Sequence, residues 1–153
     1  MERHFSVEAK TFNCLTKDSN FRLEERRKGY IGFILVGQQC ATWLVATVEE
    51  AFQSLVKEDF VKYFHEEGKT LMVSGCGNKA GRYLEVTAYT EGSRKGIIWI
   101  PEAHSGWGWL RFVGELRLML AFQARSSGSS SSKVFSLVGK QIQRNQRGDL
   151  FSG

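Results

Sequence analysis

Long hydrophobic runs are missing from this 153-residue chain. No stretch approaches the roughly 18 apolar residues that a membrane-spanning helix needs. No apolar block follows Met1-Glu2-Arg3-His4, so the sequence predicts neither a bilayer span nor a secretory signal. Proline occurs once, at Pro101. Cysteine is sparse: Cys14, Cys40 and Cys76 are far apart, form no Cys-x-x-Cys pair, and are odd in number. That argues against a disulfide framework or a zinc site, and for a reducing intracellular setting, nuclear or cytoplasmic. His4, His65 and His104 show no ligand spacing, so no metal or cofactor is expected. Gly75-x-Gly77-x-x-x-Gly81 lacks the Gly-Lys-Ser/Thr ending of a phosphate loop and does not open a helix. Glu66-Glu67 beside His65 reads as a solvated face. No catalytic constellation emerges, and the sequence predicts a binding protein and not an enzyme.

Excess charge is also scarce over most of the chain. Residues 1–122 carry 16 Lys+Arg against 15 Asp+Glu, whereas residues 123–153 carry five basic residues against one acidic, Asp149. The overall net charge of +5 is therefore mostly a property of the tail. A polyanion-binding surface on the body must come from local segregation of charge.

What is present is alternation. Residues 3–12 place Phe5, Val7 and Ala9 on one side and Ser6, Glu8 and Lys10 on the other, which predicts one half-buried strand. Asp18-Ser19-Asn20 is turn chemistry. Phe21, Leu23 and Glu25 then oppose Arg22, Glu24 and Arg26 in a second strand. Gly29 breaks it, and Tyr30–Val36 is a third. From Thr42, a candidate N-cap, the period becomes helical, with Leu44, Val48, Phe52 and Leu55 on one face to about Lys57. The pattern does not decide residues 59–67. Thr70–Ser74 is a strand, residues 75–81 a turn, Arg82–Thr90 an alternating strand, and Gly96–Ile100 another, ended by Pro101. Trp109, Phe112, Val113, Leu116 and Leu120 then follow the spacing of a helix face. After Phe122 the run Ser126–Ser132 reads as a flexible linker, and residues 133–153 as a polar, basic tail with an apolar patch at Val134, Phe135, Leu137 and Val138.

The halves repeat one plan. Arg27-Lys28-Gly29 recurs 67 positions on as Arg94-Lys95-Gly96; Trp43-Leu44 recurs 66 on as Trp109-Leu110, and Glu49 maps to Glu115. The fold class expected is α+β, two tandem β-β-β-α repeats (3–58 and 69–122) sharing one core in a domain over residues 1–122. The duplication predicts Gly29 over Gly96 and Trp43 over Trp109.

The second repeat resembles a PUR repeat, the unit of purine-rich-element-binding proteins, through Asn78-Lys79-x-Gly81-Arg82-Tyr83-Leu84-x-Val86 and the following Arg94-Lys95-Gly96-Ile97-Ile98-Trp99-Ile100. PUR repeats usually carry four strands, and three are read in each half here. The order of elements also looks like that of the Whirly and positive-cofactor-4-like single-strand binders. Residues 3–122 are similar to plant retroelement-associated hypothetical proteins through Phe5-x-Val7-x-Ala9-Lys10-x-Phe12, Asn78-Lys79-Ala80-Gly81-Arg82, Pro101-Glu102 and Gly106-Trp107. The PUR resemblance implies curved antiparallel sheets whose inner faces the helices cover and whose outer faces bind single-stranded DNA or RNA.

The candidate nucleic-acid contacts are Lys79, Arg82, Tyr83 and Tyr89, with the strand-end cations Arg26, Arg27, Lys28, Arg94 and Lys95. Basic side chains neutralise phosphates, and aromatic rings stack bases. Each has a structural counter-reading: turn chemistry for Asn78 and Gly81, edge protection for the strand-end charges. Trp99 reads as core or as a stacking platform, with its isoleucine neighbours favouring core, and Trp43, Trp107 and Trp109 near the helix starts read as packing residues. A homodimer is compatible with the pattern, and the alternative function is a protein-interaction or oligomerisation module derived from a retroelement protein.

Overall fold

A computed structural model describes residues 1–126; the Ser-rich segment beyond Ser126 and the basic tail lie outside the described residues. The chain is α+β, with two four-stranded antiparallel sheets and two helices. The first sheet is a meander of β1 (Glu2–Val7), β2 (Lys10–Lys17), β3 (Asn20–Arg27) and β4 (Tyr30–Gly37), followed by helix α1 (Gln38–Gln53). The second is β5 (Phe60–Glu66), β6 (Lys69–Asn78), β7 (Gly81–Thr90) and β8 (Ser93–Pro101). A short 3-10 turn (His104–Gly106) then leads into α2 (Trp107–Ser126).

Each half thus has four strands, not the three expected. Residues 3–12 are not one strand, because Glu8 takes φ 55° and the chain folds back with Val7 opposite Lys10. Residues 59–67, undecided from pattern, supply β5. The Gly75–Asn78 segment, expected to be a turn, continues β6, and the reversal takes place at Lys79-Ala80. Gly75 is a strand glycine because the Phe60 ring lies where its Cβ would be. Helix α1 starts at Gln38, four residues before the expected cap. Thr42 lies inside it, donating its Oγ1 hydrogen to the Gln38 carbonyl.

The repeat survives as architecture but not in the expected register. Gly29 sits at φ +74° in the β3–β4 turn, and its counterpart is Gly92 (φ +82°) in the β7–β8 turn, not Gly96. A bulge in the β7–β8 ladder leaves Lys95 without an opposite residue, since Tyr89 faces Arg94 and Ala88 faces Gly96. The bulge shifts the correspondence by one residue. Trp43 and Trp109 are not equivalent either. Trp109, third in its helix, is buried and donates Nε1–H to the Ile100 carbonyl at 2.9 Å. Trp43, sixth in its helix, is half-buried against Phe64 of the other sheet. Glu49 pairs with Arg117, whereas Glu115 pairs with Arg3 and Arg111.

One core serves both halves. The inward faces bring Phe5, Phe12, Phe21, Leu23 and Ile34 together with Val73, Leu84, Val86, Ile98 and Ile100. Ala41, Leu44, Val45 and Val48 of α1 and Trp109, Phe112, Val113, Leu116 and Leu120 of α2 close it. The two sheets meet where β4 crosses β8. A Cβ on Gly96 would overlap the Phe33 carbonyl, and one on Gly32 would come within 2.7 Å of the Ile97 carbonyl oxygen. The N-terminal strand is tied to the C-terminal helix by Arg3, whose Nε lies 2.5 Å from the Glu115 carboxylate. Burial raises the thiols of Cys14 and Cys40 to about 12, which leaves them protonated packing residues.

Two predictions follow from this packing. Gly96→Ala forces a methyl group into the backbone of β4 and is expected to cost on the order of 1–3 kcal/mol, read as a lower midpoint of urea unfolding at unchanged slope. The second concerns acid. The Arg3 hydrogen bond, opposed by burial and reinforced by the charges of Arg3 and Arg111, holds the Glu115 carboxyl below its ordinary value. A depressed carboxyl contributes stability that is complete above its unfolded pKa, about 4.3, and lost as pH falls through the folded value. Stability should hold from pH 7 to about 5 and fall below that. Glu115→Gln should flatten the acid limb; an unaltered limb would show that the pair does not govern it.

Candidate nucleic-acid interface

Alternation fixes what each sheet shows to the outside. On the second sheet, register places Tyr63 and His65 of β5, Tyr83 and Tyr89 of β7 and Trp99 of β8 on the face opposite the core residues Leu84, Val86, Ile98 and Ile100. Tyr63 is 54% exposed and stacks on His65 with ring centroids 5.9 Å apart and planes 9° from parallel. Tyr83, Tyr89 and Trp99 are half-buried. Glu85 is the strand carboxylate on this face. Cys76, opposite Tyr83 on β6, raises the Tyr83 hydroxyl, first through its charge and then with partial burial.

At the β8 border this face meets the first sheet in a cluster of rings and cations. The fully buried Glu25 accepts a hydrogen bond from the Trp99 backbone N–H at 2.8 Å and pairs with Lys10 at 2.6 Å. Lys10 also donates to the Trp99 carbonyl at 3.0 Å, and the Tyr30 hydroxyl donates to the Ile97 carbonyl at 3.3 Å. These contacts occupy the β8 edge and fix Trp99 beside Tyr30, with centroids 5.5 Å apart. The Arg27 guanidinium lies over both rings, 4.8 Å from Tyr30 and 5.1 Å from Trp99. Burial and then Glu25 raise the Tyr30 hydroxyl, against the fields of Arg27 and Arg94. Arg27 of the first half therefore caps this aromatic corner, whereas Arg94 of the second is exposed five residues along β8, opposite Tyr89.

The other expected contacts are dispersed. Lys28 and Lys79 are exposed in the β3–β4 and β6–β7 turns. Arg82 shares the inward side of β7 with Leu84, opposite Tyr83. Its guanidinium donates to the Glu58 carbonyl at 3.0 Å and lies 3.7 Å from Asp59. Arg26 is held with Arg22 on the buried Glu24, each at 2.5 Å. Burial pushes the Glu24 carboxyl up, but the two arginines outweigh it and the net shift is downward. Tyr83 and Tyr89 are six residues apart on one strand, about 20 Å, so Lys79 and Tyr83 stand at one end of the sheet, and Tyr89, Arg94 and Lys95 at the other. Tyr89 and Lys95 also line a groove of about 680 Å³ between the sheets, together with Lys17, Arg22, Phe33 and Leu35.

Sequence reasoning missed Lys10, Tyr30, Tyr63 and Trp99. Trp99, read as core among isoleucines, lies on the opposite side of β8 from Ile98 and Ile100. Trp107, also read as packing, is 48% exposed. Alternation along β8 carried the Trp99 signal; Lys10 and Tyr30 join the corner only through the crossing of the sheets.

Among the described residues no group of three or more His, Cys, Asp and Glu is placed to hold a metal ion, and no helix is long and apolar enough to cross a membrane. Compared with known proteins, the chain matches no family model and no curated sequence.

Proposed function

We propose that the protein binds single-stranded nucleic acid, DNA or RNA, across the outer face of the second sheet. The observation that carries this reading is the face itself: Tyr63, His65, Tyr83, Tyr89 and Trp99 share it, Glu85 is its strand carboxylate, Arg27 lies over Trp99 at one border, and Arg94 is exposed opposite Tyr89. Unpaired bases stack on aromatic rings, and a cationic border tracks the phosphates. The outer face of the first sheet offers less. Its arginines Arg22 and Arg26 are both tied to one carboxylate, Glu24, and β4 shows Ile31, Phe33 and Leu35 to solvent. Four strands in each half also agree with the strand count of the PUR repeats that the Asn78–Val86 segment resembles. The proposed contacts are Tyr63, Tyr83, Tyr89 and Trp99 for bases, and Arg27, Lys28, Lys79, Arg94 and Lys95 for phosphates. Arg26 and Arg82, engaged by Glu24 and by Glu58 and Asp59, stay outside the set.

The test is a titration of the full chain with single-stranded DNA and RNA at several salt concentrations. Residues 123–153 stay unchanged, so that their basic excess contributes equally to every variant. Arg27→Ala/Arg94→Ala should reduce the salt slope by about 1.4, two phosphates at about 0.7 each. Tyr63→Ala/Tyr83→Ala should weaken binding by about 1–3 kcal/mol for each base unstacked, with circular dichroism and melting as fold controls. A wild-type chain that binds neither polymer at low salt removes the function. Binding that all variants share with wild type removes this face as its site.

A further inference from the structure

Helix α2 has a second apolar face. Its inward side is accounted for by Trp109, Phe112, Val113, Leu116, Met119 and Leu120, all buried. On the outward side Trp107, Leu110 and Leu118 are 48%, 47% and 46% exposed, and Gly114 and Ala121 complete the row. At 100° per residue these five positions fall within about 40° of a line through Gly114. Nothing among the described residues accounts for Gly114. A glycine inside a helix costs about 1 kcal/mol relative to alanine, yet a Cβ there would meet nothing within 4 Å.

The row is symmetric about that glycine. Trp107 and Ala121 lie seven residues to either side of Gly114, and Leu110 and Leu118 four to either side. Two copies of α2 laid antiparallel about a two-fold axis at Gly114 place Leu110 against Leu118 of the other copy, Trp107 against Ala121, and glycine against glycine. Trp107 meets the small Ala121, leucine meets leucine, and the backbones approach at the glycine, in the self-complementary pattern of an isologous interface. Arg125, one turn beyond Ala121, falls toward the start of the opposing helix, where Glu102 lies 3.5 Å from Lys57 of its own chain. The flanking Arg111 and Arg117, which would face each other, are already paired with Glu115 and Glu49 of their own chain. Antiparallel helix dipoles favour the same arrangement.

We infer that this face of α2 is the interface of a homodimer. With the stems of Arg111 and Arg117 the row offers on the order of 400–500 Å² per chain, so the pair would bury on the order of 900 Å², the lower end of specific interfaces. An interface of this size is expected to be weak and reversible. The inference is independent of the nucleic-acid reading, since the row shares no residue with the proposed contacts.

Sedimentation of the full chain over a wide concentration range tests it. Wild type should shift from the monomer mass, 17.3 kDa, to twice that value. Leu110→Glu and Leu118→Glu, at half-exposed positions, should each weaken the dimer at least tenfold while the monomer keeps its melting temperature. Gly114→Leu should do the same while raising helix propensity, so its loss of dimer is not a loss of fold. Gly114→Cys in a Cys76→Ser background should crosslink to itself under a mild oxidant. A chain monomeric at all concentrations overturns the inference, whether residues 127–153 or another protein cover the row. A dimer unaffected by these substitutions, or one without the 114–114 crosslink, overturns it as well.

Discussion

The crossing of β4 over β8 constrains everything else in this molecule. Each strand ends its sheet, and an unpaired sheet edge is a standing invitation to aggregation. Here each edge is pressed against the inner face of the other sheet, at a distance that only Gly32 and Gly96 permit. Polar groups on the first sheet complete the arrangement: Glu25 accepts from the Trp99 N–H, while Lys10 and Tyr30 donate to the Trp99 and Ile97 carbonyls. A buried carboxylate is tolerable because its partners are a backbone donor and a lysine held at 2.6 Å. The hydrogen bonds withdraw the β8 edge from water without a ninth strand. The helices are then committed to the remaining openings: α1 packs on β3 and β4 and on β5 and β6, α2 on β8 and on β1 and β2.

Much of this was legible in the alternation of the strands and in the period of α2, whose buried face falls where the spacing of Trp109, Phe112, Val113, Leu116 and Leu120 puts it. Failures came where chain chemistry and conformation part company. The β1–β2 turn is Glu8-Ala9, without glycine, proline or asparagine, and the alternation runs on through it. In β5 both faces are apolar, Phe60 and Phe64 inward and Val61 and Tyr63 outward, so no single period stands out. Gly75 looked like part of a turn because glycine marks both turns and close approaches, and only the position of the Phe60 ring distinguishes the two. The 66–67 residue matches do not fall on equivalent positions, and the bulge at Lys95 sets the correspondence at 64 for the crossing glycines.

The candidate site was legible where it depended on one strand. Tyr83 and Tyr89 share a side of β7, as alternation requires. The same rule puts Arg82 with Leu84, so its separation from Tyr83 was written in the sequence. Arg26 shares a side of β3 with Glu24 by the same alternation, but that Glu24 is buried and takes both Arg22 and Arg26 is visible only in the fold.

Similar architecture has produced unlike surfaces in the two halves. Turn by turn, Lys10 corresponds to Lys69, Arg27 to Thr90 and Trp99 to Leu35. One corner is therefore closed by rings and cations, Arg27 over Tyr30 and Trp99. The related corner, with Leu35 in place of the indole and threonine in place of the arginine, leaves the groove that Lys17, Arg22, Lys69 and Lys95 border. The crossing glycines demand symmetry of the backbone only; side chains one residue to either side of them are free to diverge. The two halves thus share a backbone plan around the crossing glycines while differing in the surfaces they present.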